Sequence, residues 1–298
     1  MNRATRYLGL VLALAMAAGG CDESASPERD VGEDEPLRIL SLAPNVTEIL
    51  FAMGQGKRMV GRSTYCTFPP QAARLPAVGD TINMNLEKIV ALKPNLALVV
   101  TKRDDVVRTL EGLGVHTVAL ECDTMDELYQ TIDTIGRETG AMGPAMNLRD
   151  MIRDGLSAVR RRVAGLPRPK VLFAFPMTVG SAKMMVAGRG TFVDELLDVA
   201  GAENAYPEAA DWPTITPQQA VAMAPEIVIV NAVGDQAAPD RIEAIRRAWA
   251  DLKSVPAVVK GRVIVLQDAY LTIPGPGVGL AAERLANVIH GLPGEPGR

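Results

Sequence analysis

Histidine is nearly absent from this chain: only His116 and His290 occur in 298 residues. Imidazole is the side chain that titrates closest to neutral pH and the commonest metal ligand, so proton-shuttling catalysis and imidazole-held metals have little to draw on. His116 falls inside a predicted strand and His290 near the C-terminus, and both read as structural or exposed. A G-x-S-x-G elbow is missing too, which leaves hydrolysis without a credible nucleophile. Charge of one sign is not in excess. Lys and Arg number 31 against 35 Asp and Glu, for a net charge of −4 and a pI near 5.4, and no basic stripe is present to receive nucleic acid. Cysteines number three and aromatics only 4% of the residues, so the few that occur are worth following individually.

The N-terminus carries its own signals. Arg3 and Arg6 precede a short apolar run, Leu8 to Ala18, and Ala18-Gly19-Gly20 lead to Cys21. This is the layout of a signal peptide, too short for the roughly 20 residues that span a bilayer. Small residues before a cysteine resemble the bacterial lipoprotein processing site, which implies cleavage after residue 20 and lipidation of Cys21; Ala18 departs from that site's usual Leu, and plain secretion is the alternative. Asp22 resembles the signal that keeps lipoproteins on the inner membrane. Asp22 to Pro36 holds seven acidic residues, one Arg and two prolines without apolar periodicity, the composition of a disordered tether.

The remaining chain alternates strands and helices. Apolar strands near 38–42, 59–62, 96–100 and 116–120 are separated by helices near 45–53, 85–93, 103–113 and 124–139. That order predicts an α/β fold on a parallel sheet. Met151, Ile152, Leu156, Val159, Val163 and Leu166 then recur at three-to-four spacing between Pro144 and Pro167, which predicts one long amphipathic helix. A second α/β unit follows, with strands at 170–175, 227–230 and 263–266 and helices near 190–200, 217–223, 240–251 and 278–290. The expected organisation is a signal peptide over 1–20, a lipidated N-terminus and linker over 21–36, and a first Rossmann-like lobe over 37–142. A bridging helix over 143–167 and a second lobe over 168–298 complete it, with the ligand cleft between the lobes. In parallel sheets ligands bind at the carboxyl ends of the strands. The loops there carry Tyr65 after the second strand, Trp212 in DWPTITP, and Asp268 and Tyr270 after the last strand. Flat aromatic faces at a cleft suit a large, flat, partly apolar ligand. Cys66 and Cys122 also follow strands at one sheet edge; a disulfide is open to them if their Cα atoms come within about 7 Å, and two free thiols is the other reading.

The phrases RILSLAPNVTEILFAMG, VGRSTYCTFPPQ and MNLEKIVALKPNLALV, in that order, resemble the periplasmic substrate-binding proteins of vitamin B12 and iron-siderophore importers, closest to the B12 receptors. The two lobes joined by one helix extend the resemblance over nearly the whole mature chain. It implies a non-enzymatic receptor that captures cobalamin or a related corrinoid and hands it to a permease driven by an ATPase, as a monomer needing no cofactor and no metal of its own. Membrane contact would be through the lipid anchor alone. The resemblance puts Tyr65 against the corrin ring, Trp212 in the pocket wall and Asp268 on corrin amides. Thr81, Val100 and Thr272 stand where such receptors carry further tryptophans and an arginine. IPGPGVGLAAERLA resembles the turn that opens the family's last helix, and scarcity of histidine disfavours the zinc and manganese receptors of this architecture.

The same resemblance implies two docking positions for the permease. Glu87 supplies the acid in the first lobe, whereas the second has Gln218, so docking is expected to be asymmetric or to use Glu195, Glu203 or Glu208. A ferric siderophore or haem is the alternative ligand and would call on Arg62 or Arg189 at the cleft. An extracytoplasmic sensor or an enzyme on the same scaffold is the alternative of a different class.

Overall fold

A computed structural model describes residues 36–176, 183–208 and 211–293. The expected leader, lipidation at Cys21 and acidic tether up to residue 35 therefore lie outside the described residues. The first lobe runs β1 (Ile39–Ser41), α1 (Pro44–Ala52), β2 (Met59–Arg62), α2 (Pro70–Ala73), α3 (Leu86–Leu92), β3 (Leu96–Val100), α4 (Asp104–Glu111), β4 (His116–Leu120) and α5 (Met125–Glu138). Its sheet has the order β2-β1-β3-β4 and is parallel throughout. Near-continuous apolar strands such as Leu96–Val100 suit this, because helices cover both faces of the sheet.

α6 (Met142–Val163) is the predicted connecting helix, and its 22 residues span about 33 Å. It starts one turn earlier than the apolar spacing suggests. Pro144 sits in the first turn, where backbone N–H groups have no intrahelical partner to lose. It stops at Val163 because Ala164 turns to extended backbone and Gly165 takes a positive φ of 80°.

The second lobe comprises β5 (Lys170–Ala174), β6 (Met184–Met185), α7 (Phe192–Val199), β7 (Glu203–Asn204), β8 (Thr214–Ile215), α8 (Pro217–Met223), β9 (Ile227–Asn231), α9 (Pro239–Ala250), α10 (Pro256–Val259), β10 (Val263–Leu266) and α11 (Val278–His290). Its main sheet is parallel in the order β10-β9-β5-β7, with β6 and β8 as a small antiparallel pair.

The lobes share their interior. One buried cluster takes in Ile39 and Leu98 of the first sheet, Ile152 and Leu156 of α6, and Phe173 and Ile229 of the second sheet. Each such side chain stabilises the fold by about 1.5–3 kcal/mol through burial. Residues 37–298 accordingly form one compact unit. α6 is held on both sides. Arg149 and Arg153 lie over the Tyr129 ring of α5, at 5.5 and 5.1 Å from its centre, and Arg149 pairs with Asp133. On the other side α6 meets α11 at a glycine pair, where a Cβ on Gly155 would lie 3.7 Å from the Gly279 Cα.

Candidate functional site

The carboxyl ends of both sheets open on one cleft, and side chains from both lobes line it. At the β2 and β10 edge is a cavity of about 970 Å³ with Glu48 and Phe51 of α1, Tyr65 and Phe68 of the loop after β2, and Tyr270 and Ile273 of the loop after β10. A second cavity, of about 500 Å³, reaches the other edge and is lined by Asn45, Val100, Cys122, Phe175, Trp212 and Thr272. Pro44 and Ile273 border both. The segment Pro274–Pro276 makes the division: a Cβ on Gly275 would stand 3.7 Å from the Asn45 Cα and 3.6 Å from Glu48 Oε2. Both volumes fall in the range of about 300–1,000 Å³ usual for small-molecule sites.

Tyr65 is 66% exposed and so presents its ring to the larger cavity, where Tyr270 joins it from the opposite lobe. Burial, and after it the neighbouring Asp268 carboxylate, push the Tyr270 hydroxyl above the ordinary tyrosine range. Trp212 lines the smaller cavity instead. Tyr65 and Trp212 are therefore not the two walls of one slot, and the expectation that they flank a single flat ligand gives way to two aromatic walls in adjoining cavities. Trp212 is held edge-on by Phe175 at 5.4 Å and Phe192 at 6.1 Å, and Phe175 in turn meets Phe173 at 5.9 Å. Such edge-to-face packing fixes the indole beyond what area burial alone would do.

Asp268 lines neither cavity. Its carboxylate accepts from Arg284 Nε of α11 at 3.0 Å, and Asn231 Nδ2 donates to its backbone oxygen at 3.1 Å. Arg284, sixteen residues on, brings a cation to a loop whose own sequence has Thr272. Arg62 spends its guanidinium on the carbonyls of Ser63, Thr64 and Ala73. Arg189 is exposed and lines neither cavity. Neither arginine therefore lines the cavities where a siderophore or haem would call on it.

The residue that the sequence analysis missed is Glu48. It lines the larger cavity from the middle of α1, and burial alone pushes its carboxyl up to about 7. Lys57, exposed at the rim, is the one cation among the described residues lining this cavity. The signal for Glu48 was an acid between apolar residues in NVTEILF, on a helix beginning at a strand's carboxyl end.

Cys66 and Cys122 are both buried and unbridged. They follow β2 and β4, which the strand order puts at opposite edges of the sheet. Of the two readings that the sequence leaves open, a disulfide and two free thiols, the structure has the two free thiols. Cys122 contacts the Thr131 hydroxyl at 3.4 Å, and burial pushes its thiol up to about 11. No group of three or more His, Cys, Asp or Glu poised for a metal occurs among the described residues. His116 meets Glu138 Oε2 at 3.0 Å on an edge strand, and His290 meets the Ala200 carbonyl at 2.9 Å; both are remote from the cavities.

Glu87 and Gln218 occupy the same position in the two lobes. Each is the second residue of its helix, after an N-cap whose side chain accepts from the third residue's N–H: Asn85 in α3 and Thr216 in α8. Both helices end in left-handed residues, Lys93 and Ala224, each followed by proline and a strand. Both side chains are exposed. Glu195 is not on that surface: its Oε1 accepts from Met125 N of the other lobe at 2.9 Å. Glu203 is exposed on β7, and Glu208 uses its backbone oxygen to hold Arg189 N at 3.1 Å.

Comparison with known proteins agrees with this architecture. Residues 39–270 match the periplasmic binding protein family Peripla_BP_2. The uncharacterised ABC transporter substrate-binding lipoprotein YvrC of Bacillus subtilis strain 168 is 27% identical over 273 residues, covering 90% of this chain and 84% of that protein. A vitamin B12-binding protein of Pectobacterium carotovorum is 26% identical over 261 residues, covering 86% and 90%. Among solved structures, the periplasmic haem-binding protein RhuT from Roseiflexus superposes with a TM-score of 0.73 at 25% identity, over 87% of this chain and 99% of that one. A parallel two-sheet body bridged by one helix, with its cleft at the strand ends, and a family match across both lobes make this chain a member of the periplasmic binding protein family.

Proposed function

We propose that this protein captures cobalamin or a related corrinoid in the interlobe cleft and delivers it to the permease of an ABC importer, held to the inner membrane by a lipid on Cys21. The observation that carries the ligand is the larger cavity: apolar, bounded by Tyr65 and Tyr270 from opposite lobes, with a single carboxyl and a single rim lysine. Haem and most siderophores present carboxylates, catecholates or hydroxamates and call for clustered cations. A corrin ring presents amides on an apolar rim, which this lining suits. The B12-binding relatives support the same reading. Docking rests on Glu87 of the first lobe, with Gln218 offering a hydrogen bond at the matching place in the second.

Two observations favour haem: the haem-binding RhuT is among the similar structures, and phenols can hold haem iron while Tyr65 and Tyr270 face one cavity. Against it, the Tyr270 hydroxyl is pushed away from the phenolate that iron requires. Titration of the purified chain without its leader against cyanocobalamin, cobinamide, haem and a ferric hydroxamate tests the proposal. Micromolar binding of a corrinoid supports it. Binding of haem or the iron chelate alone overturns the corrinoid assignment and leaves the transport class.

A further inference from the structure

We infer that Glu48 is the specificity-determining residue of the larger cavity, admitting ligands whose edge carries amides and turning away those whose edge carries carboxylates. The inference deepens the proposed function and rests on its reading of this cavity as the ligand site.

Glu48 projects from the fifth position of α1, between Val46, Ile49 and Leu50 of the buried core, so the helix cannot rotate it out of the cleft without exposing that core. Its carboxyl is half-buried, makes no hydrogen bond or ion pair with the described residues, and stands against the Gly275 backbone that divides the cleft. A buried polar group without a partner costs free energy that a ligand can recover by supplying one. An amide supplies either partner. Its N–H groups donate to the carboxylate, and its carbonyl accepts from the protonated acid. A carboxylate can accept only from the protonated acid; against the ionised acid it has no proton to donate and holds two like charges together in an apolar pocket.

The other titratable groups facing this cavity do not cancel the effect. Lys57 is exposed to solvent at the rim, where screening weakens its pull on an anion. Tyr65 is a hydroxyl donor available to either kind of ligand, whereas the Tyr270 hydroxyl is engaged by the Asp268 carboxylate, whose charge Arg284 pairs.

The test compares two matched pairs of probes at about pH 8, where the acid is ionised. One pair is cyanocobalamin and its monocarboxylic hydrolysis products; the other is haem and its bis-amide. Dissociation constants are measured for the wild-type protein, Glu48→Gln and Lys57→Ala. The wild-type protein is expected to favour the amide member of each pair it binds by about tenfold. Glu48→Gln, which keeps size and hydrogen bonding but removes the charge, is expected to bring the two within about twofold, and Lys57→Ala to leave the preference intact or widen it. An unchanged preference in Glu48→Gln overturns the inference. Binding of the haem pair without the corrinoid pair overturns the corrinoid assignment instead, and the role of Glu48 is then decided on the haem pair. A cooperative unfolding transition in Glu48→Gln, at least as stable as that of the wild type at this pH, separates lost selection from lost structure.

Discussion

Glu195 in the second lobe accepts a hydrogen bond from the backbone N–H of Met125 in the first, at 2.9 Å. Met125 opens α5, so the carboxylate caps the positive end of the other lobe's helix. Beside it, Phe192 N donates to the Asp123 carbonyl at 2.7 Å. The cleft is thus pinned at the edge away from Tyr65. Removal of the cap by Glu195→Ala is expected to raise hydrogen exchange at the Met125 amide about tenfold and to lower stability by about 1 kcal/mol. Protection unchanged from the wild type would show that the contact does not hold the lobes.

Glu48 makes stability depend on pH in an uncommon direction. Its carboxyl titrates near 4.5 in the unfolded chain and at about 7 in the fold, so the folded protein holds more protons between those values. Stability is therefore complete below about pH 4.5 as far as this group is concerned, and is lost as pH rises through 7. Partial solvent access limits the loss to roughly 1 kcal/mol. Urea unfolding at pH 5 and pH 8 is expected to show this fall in the wild-type protein and to show it removed in Glu48→Gln.

At the α6 and α11 crossing, substitution of Gly279 separates two effects. Alanine fits, since its Cβ would lie 3.8 Å from the Gly155 Cα, and the better helix propensity is expected to leave stability unchanged or raise it by up to about 1 kcal/mol. Leucine must push the helices apart and is expected to cost about 1–3 kcal/mol. Thermal unfolding of the two variants checks both signs.

The matched positions of Glu87 and Gln218 lead to a test that leaves the cleft alone. Glu87→Lys is expected to lower permease-dependent uptake in reconstituted vesicles by about tenfold, and Gln218→Glu to raise it, while ligand affinity in solution is unchanged. A fall in affinity equal to the fall in uptake would place Glu87 in ligand binding rather than docking.

Without denaturant, a thiol reagent is expected to label neither Cys66 nor Cys122 rapidly; denatured but unreduced protein should take two labels among the described residues. A mass two protons lighter than the free-thiol chain would instead indicate a bridge.

The long parallel strands and the connecting helix were legible because each carries a run or a period of apolar residues long enough to be read locally, as at Leu96–Val100 and Ile152–Val163. β6, β7 and β8 were not legible, since two residues such as Glu203–Asn204 hold no period. The site was legible in its loops and illegible in its pairings. Tyr65 and Trp212 were both placed at strand ends, but which cavity each joins depends on strand order, and that follows from packing across the whole chain. The same ignorance of strand order left a disulfide open beside two free thiols for Cys66 and Cys122. Arg284 was invisible for a related reason: it reaches Asp268 from another element, so no spacing within the loop announces it.

The buried cluster that passes from the first sheet through α6 to the second bears on how the molecule comes apart. Lobes with separate interiors would melt separately, each at its own temperature. Here neither sheet is buried without the other's neighbours, because Ile39, Leu156 and Phe173 belong to one cluster. Loss of either lobe strips the helix that shields the other, so the two-lobed body has the thermodynamics of a single cooperative unit, and calorimetry of residues 37–298 is expected to give one transition whose van't Hoff and calorimetric enthalpies coincide.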